Sequence, residues 1–190
     1  VRRSKTRYAI LGMLSRQGMS GYDVKKALET GMRTFWNESN GQIYPVMRGL
    51  EVGGWWGKSG ERQDGKPDRH VYAITDRGRE DLRAWLESPA EEPKFRLEFL
   101  LKLIFGHETS TDVNIGHLET LRGQEETQMK EFRALEQRLL GLFVSDPRTR
   151  YGLLTLRCGI RVTQALLDWA EAEIASLNEL EAAEQRKEDH

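Results

Sequence analysis

Tyr8, Ile10, Leu11 and Leu14 fall at helical spacing between Thr6 and Ser15, and Gly18, Ser20 and Gly21 then break the pattern. Ser20 is a good N-cap for a second short helix carrying Tyr22, Val24 and Leu28 before Gly31. Two short helices across a tight turn predict a helix-turn-helix. Ser39 or Asn40 caps a third helix, in which Ile43, Val46, Met47 and Leu50 fall at i, i+3, i+4 and i+7 and Gly53-Gly54 ends the run. Its other face carries Gln42, Tyr44, Pro45 and Arg48. After the glycines the period shortens: Trp55 to Ser59 and His70 to Ile74 read as two strands joined by a polar, turn-rich loop. Thr75 or Asp76 caps a fourth helix through Leu82, Trp85 and Leu86, closed by Ser88-Pro89. Residues 1–88 are therefore expected to form a winged helix-turn-helix with a two-stranded wing.

Glu91-Glu92-Pro93 breaks the apolar periodicity with like charges and a proline and reads as a linker, with a second domain over 94–185. Phe95 to Phe105 is an apolar helix, and Thr111 followed by Asp112 caps a longer one that can run to about Ser145. Along it, positions 118, 121, 125, 128, 132, 135, 139 and 142 step by three and four, and all but Glu125 and Gln128 are Leu or Phe. Pro147 opens a further helix in which Leu153, Leu156, Ile160, Thr163, Leu167, Ala170, Ile174 and Leu177 repeat that spacing. Each helix is expected to run roughly 45 to 55 Å at about 1.5 Å per residue, and Glu181 to His190 is expected to fray. A single antiparallel hairpin would leave part of each stripe in water, so a homodimer is expected. The alternative is that Phe95 to Phe105 and the fourth helix of the same chain cover the stripe. The expected fold class is mainly α, a winged helix-turn-helix followed by a C-terminal long-helix dimerisation domain.

Composition narrows the partners. With 38% apolar residues the chain can build a real core, and no window approaches the roughly 18 apolar residues of a membrane span. Val1-Arg2-Arg3-Ser4-Lys5 lacks a signal-peptide core, so a cytoplasmic protein without membrane contact is expected. Cys158 is the single cysteine, and His70, His107, His117 and His190 have no neighbours at metal-ligand spacing, so neither a metal nor a cofactor is expected. The net charge of −1 hides two halves of opposite sign. Residues 1–88 hold 16 Lys and Arg against 11 Asp and Glu, whereas residues 89–190 hold 13 against 19.

The basic half suits duplex DNA. Readout of the major groove needs a narrow element with polar side chains outward and cations nearby for the phosphates. On the third helix Arg48 can bond guanine bidentately, Gln42 can pair with adenine, and Tyr44 can reach a phosphate or a thymine methyl. Pro45 falls in the first turn, where its missing N–H costs little. For Gln42 and Arg48 taken singly, a plain solvated helix face is the competing reading. The wing supplies Arg62 and Lys66, with Lys58 and Arg69 on its flanks, diluted by Glu61, Asp64 and Asp68. Arg2, Arg3, Lys5 and Arg7 form an acid-free run that could lie along the DNA backbone, and Lys25 and Lys26 are weaker candidates.

Taken together, the segments Tyr8-Ala9-Ile10-Leu11-Gly12-Met13-Leu14, Met19-Ser20-Gly21-Tyr22-Asp23-Val24, Phe35-Trp36-Asn37-Glu38-Ser39, Gly41-Gln42-Ile43-Tyr44-Pro45 and Tyr72-Ala73-Ile74-Thr75-Asp76-Arg77-Gly78 resemble the PadR family of transcriptional regulators. The resemblance is close over residues 6–87 and looser along the helical tail, which is similar to that of the family's larger members. It implies a homodimeric winged-helix repressor that binds an inverted repeat and releases it when a small, often aromatic, effector binds. By position it puts DNA contacts on Gln42, Tyr44 and Arg48, with Gly65-Lys66-Pro67-Asp68-Arg69 as the wing. Gly49 stands where a bulkier, often basic, residue is usual, and Asp68 puts an acid into a normally basic wing.

For the effector, Trp169 and the polar break at Glu125 and Gln128 are the candidates, because a buried polar gap between long helices can accept a ligand. A register-fixing polar pair is the competing reading of that gap. Trp36, as part of the family motif, and Trp85, on an apolar helix face, read as core. No phosphate-binding glycine loop, G-x-S-x-G turn or Cys/His pair with a third member points to an enzyme. The rival function is a winged-helix module for protein–protein contact with a helical scaffold tail.

Overall fold

The computed structural model describes residues 5–31, 43–59, 71–92, 97–141 and 146–188. Ile10 and Leu11 on helix α1 (Thr6–Leu14) are fully buried and form the centre of the first of two compact units, Val1–Pro93. Around them pack Val24 and Leu28 of α2 (Gly21–Gly31), Ile43, Met47 and Leu50 of α3 (Ile43–Val52), and Leu82 of α4 (Asp76–Glu87). The apolar positions that set the helical period are thus the ones that make the core.

The caps lie where the sequence puts them. Ser20 Oγ accepts from the Asp23 amide at 3.2 Å and donates to the Asp23 carboxylate at 2.7 Å, a reciprocal capping arrangement that starts α2. Thr75 Oγ1 accepts from the Gly78 amide at 3.2 Å to start α4. Helix α3 runs out into Gly53-Gly54, and Gly54 takes φ +70°, a left-handed turn that glycine adopts without steric cost. The proposed caps Ser39 and Asn40 lie outside the described residues, as does Trp36.

The sheet differs from expectation by one strand. Strands β2 (Trp56–Ser59) and β3 (Val71–Ile74) form the wing hairpin, but β1 (Met19–Ser20) adds antiparallel to β3, giving the order β1-β3-β2. Met19 stands opposite Tyr72 and Trp56 opposite Ile74. A two-residue strand carries no alternation of its own, so it has no sequence signal to read. Trp56 is buried and stacks on Tyr72 at 4.2 Å between ring centroids. Trp85 departs from its reading as core: it is 37% exposed, its indole lying flat on Tyr8 at 4.5 Å.

The second unit, Lys94–His190, is helical. Helix α5 (Glu98–Ile104) leads through a single 3-10 turn, Gly106–Glu108, into α6 (Thr111–Leu140), which folds back along α7 (Pro147–Glu188). Asn114 Nδ2 donates to the carbonyls of Gly106 and Ser110 at 2.9 and 3.1 Å and fixes the corner before α6. Helix α6 stops at Leu140 with Gly141 as its C-cap, short of Ser145, whereas α7 continues helical to Glu188, where fraying was expected. Its last turns are rich in Ala, Glu, Gln, Arg and Lys, all strong helix formers.

The two seams are covered to different extents within one chain. Leu118, Leu121 and Phe132 of α6 and Leu153, Leu156, Ile160, Thr163, Leu167 and Ala170 of α7 are buried within one chain. Phe132 packs with Leu156 and Ile160, and Arg157 reaches Glu136 across the pair at 3.6 Å. One antiparallel hairpin therefore covers most of the α7 stripe but only part of the α6 stripe, where Leu135 stays 40% exposed. Also left in water are Leu100, Leu101, Ile104 and Phe105 of α5, and Tyr151, Leu154 and Val162 of α7.

Candidate nucleic-acid interface

Helix α3 is split lengthwise. Ile43, Met47 and Leu50 point into the core, while Tyr44, Pro45, Arg48, Gly49, Glu51 and Val52 face solvent. Tyr44 is 55% exposed despite its aromatic ring, and Pro45 occupies the third position of the helix, where no intrahelical N–H is forfeited. At Gly49 a Cβ would meet nothing within 4 Å, so the middle of this face is open backbone. Gln42 lies outside the described residues.

The start of α2 meets α3 through a side chain: a Cβ on Gly21 would stand 3.0 Å from the Met47 methyl. Further along α2, Lys25 Nζ lies 5.8 Å from the Tyr44 ring centroid, with Tyr22 exposed one turn earlier. Spacing along α2 alone gave Lys25 no special place.

The rest of the basic half divides. Lys58 sits in β2 opposite Tyr72, with its side chain outside the description, and Arg62, Lys66 and Arg69 lie outside the described residues. Arg7 and Lys5, grouped by sequence with a run along the DNA backbone, are engaged elsewhere. Arg7 is buried, ion-paired with Asp81, and lies 4.4 Å over the Trp55 ring, which Arg77 also meets at 4.7 Å. Lys5 pairs with Glu91 at 2.9 Å. Part of the positive charge in this half thus holds the unit together.

In the second unit Trp169 is half-buried against Phe99 of α5, with centroids 5.8 Å apart, and Glu125 and Gln128 are half-buried on α6. An open, mainly apolar groove of about 450 Å³ lies instead between α5 and the start of α6, lined by Leu101, Lys102, Phe105, Val113, Asn114 and His117. Neither Trp169 nor the polar pair lines it. Among the described residues no cluster of His, Cys, Asp and Glu could hold a metal, and no helix is long and apolar enough to cross a membrane.

Four helices, a three-stranded sheet with a hairpin wing and an outward polar face on the third helix define a DNA-binding winged-helix protein. Residues 10–84 match the transcriptional regulator PadR-like family, and residues 95–178 match the family described as virulence activator alpha C-term. The chain thus carries a PadR-like transcriptional regulator domain over residues 10–84, followed by a C-terminal domain of the second family. It is 27% identical over 187 residues to a probable transcriptional regulator of Mycobacterium tuberculosis, covering 90% of this chain and 97% of that one. The negative transcriptional regulator PadR of Bacillus subtilis is 33% identical over 100 residues, covering 52% of this chain and 55% of that one. That protein's structure with operator DNA superposes with a TM-score of 0.79 at 24% identity, over 92% of this chain and 99% of that one, and it has also been solved with p-coumaric acid. The virulence activator AphA of Vibrio cholerae superposes with a TM-score of 0.74 at 28% identity, over 92% of this chain and 98% of that one.

Proposed function

We propose that the protein is a homodimeric, ligand-responsive repressor that binds an inverted-repeat operator in the cytoplasm. Residues 1–88 carry the DNA contacts, through Gln42, Tyr44, Pro45 and Arg48 on α3 and Lys58, Arg62, Lys66 and Arg69 in the wing. The division of α3 carries this reading, since its buried face anchors the helix while Tyr44 and Arg48 stand clear of the core. The negative regulator of B. subtilis supports repression, and the activator AphA makes the sign of regulation a question for a reporter assay.

Residues 94–185 hold the dimer and respond to the effector. The inner seam of α7 is largely covered by α6, so the dimer surface falls on α5 and the outer face of α7. No residue of α5 is buried, and Ile104 is 70% exposed. Apolar patches of this kind on a soluble protein mark contact surfaces. A small aromatic molecule is the effector class, by analogy with the B. subtilis relative, and Trp169, Glu125 and Gln128 are its candidate contacts. Binding would release DNA by changing the separation of the two recognition helices, which half-sites one turn apart do not tolerate.

The test is titration of duplexes selected from a random-sequence pool, at two salt concentrations, with the protein and its Tyr44→Ala and Arg48→Ala variants. Sequence preference with a steep salt slope, lost in both variants, supports the reading. A preference that survives both substitutions moves the contacts off α3, and no preference at all leaves the protein-contact module.

A further inference from the structure

Tyr44 is mostly exposed, and an exposed tyrosine side chain is free to sample several rotamers. Lys25 limits that freedom. Its ammonium lies 5.8 Å from the centre of the ring, within cation–π range, and its side chain is only half-exposed although it stands on a solvent-facing turn of α2. The contact joins the outer faces of α2 and α3, which meet near the start of α2 at Gly21 and the Met47 methyl. Tyr22 is 65% exposed three residues before Lys25, so α2 and α3 together present aromatic, cation and aromatic along one edge.

In a helix-turn-helix the first helix of the pair crosses the sugar-phosphate backbone while the second enters the groove. Resting on the operator-binding reading above, we propose that Lys25 is a positioning residue for Tyr44 that also meets a DNA phosphate. In the free protein the lysine holds the phenol ring outward. On DNA its ammonium neutralises one phosphate beside the groove while its stem stays on the ring, so one side chain contributes both to affinity for any duplex and to the aim of a base-reading residue. The two contributions are separable by salt, because a phosphate contact releases counterions and a ring contact does not.

The experiment compares Lys25→Met, which keeps the stem without the charge, with Lys25→Arg, alone and in a Tyr44→Leu background. Binding is measured from about 50 to 200 mM salt on the operator selected by the wild-type protein and on a random duplex of equal length. Lys25→Met is expected to reduce the slope of log K against log salt by about 0.9 per bound subunit. It is also expected to lower the operator-to-random ratio by about two- to fivefold, the range of an exposed cation–π contact. Lys25→Arg is expected to restore both. In the Tyr44→Leu background the slope change persists while the change in ratio disappears. An unchanged slope in Lys25→Met, or a loss of discrimination that persists without the Tyr44 ring, overturns the proposal. Wild-type protein without sequence preference overturns the operator reading itself, a result distinct from either.

Discussion

Thr75 Oγ1 donates to the carbonyl of Gly54 at 2.8 Å while accepting from the amide of Gly78 at 3.2 Å, so one hydroxyl joins the exit of α3 to the start of α4. Thr75→Val keeps the shape and removes both bonds. The expected cost is about 1–2 kcal/mol, the value of a helix cap with a second hydrogen bond, read from urea unfolding. Thr75→Ser is expected to recover most of it.

Two glycines in the same unit predict opposite signs for one substitution. A Cβ on Gly78 would lie 2.1 Å from the carbonyl oxygen of Trp55, and backbone cannot step aside cheaply, so Gly78→Ala is expected to destabilise by at least about 1–3 kcal/mol. At Gly49 the space is open, and Gly49→Ala is expected to stabilise α3 by about 0.5–1 kcal/mol. Thermal unfolding of the two variants should move Tm in opposite directions.

Arg48 is exposed on α3. Arg48→Ala should leave stability within about 0.5 kcal/mol. Its expected effect is a loss of operator affinity of about tenfold to a hundredfold, the value of a bidentate base contact. A competition titration against random duplex checks it, since discrimination must fall with affinity.

The hairpin of the second unit turns on another close pair. Phe132 is buried, and a Cβ on Gly159 would come within 2.8 Å of its ring. Phe132→Ala is expected to cost about 3–5 kcal/mol. Gly159→Leu should be as harmful by wedging α6 from α7, and part of that loss should return when Phe132→Leu is added. Chemical denaturation followed by helical circular dichroism measures all three.

For the dimer, Leu101→Glu with Ile104→Glu places two charges on the exposed face of α5. Sedimentation velocity is expected to show a monomer with native helicity, and operator affinity is expected to fall with it. A dimer that survives both substitutions puts the contact on the outer face of α7.

Much of this was legible along the chain, and for local reasons. Ile43, Val46, Met47 and Leu50 define an apolar stripe by spacing alone, and the same spacing leaves Tyr44 and Arg48 on the other face. Ser20, Thr75, Pro147 and the glycines after α3 announce helix ends because caps and turns depend on residues within a few positions. The family resemblance drew on those same local motifs. What pairs with what was not local. The sequence placed Arg7 among potential DNA contacts, yet it is buried beneath Trp55 and paired with Asp81, distant in the chain.

The same boundary runs through the function. Local chemistry determined that this chain would fold as a winged helix-turn-helix followed by long helices, since periodicity and capping act over one or two turns. Only the tertiary structure decided that β1 would join the wing, how much of the α6 and α7 seams one hairpin would cover, and that Lys25 would lie against Tyr44. Those outcomes depend on which surfaces meet, and a stripe of leucines specifies that it must be covered without specifying by what.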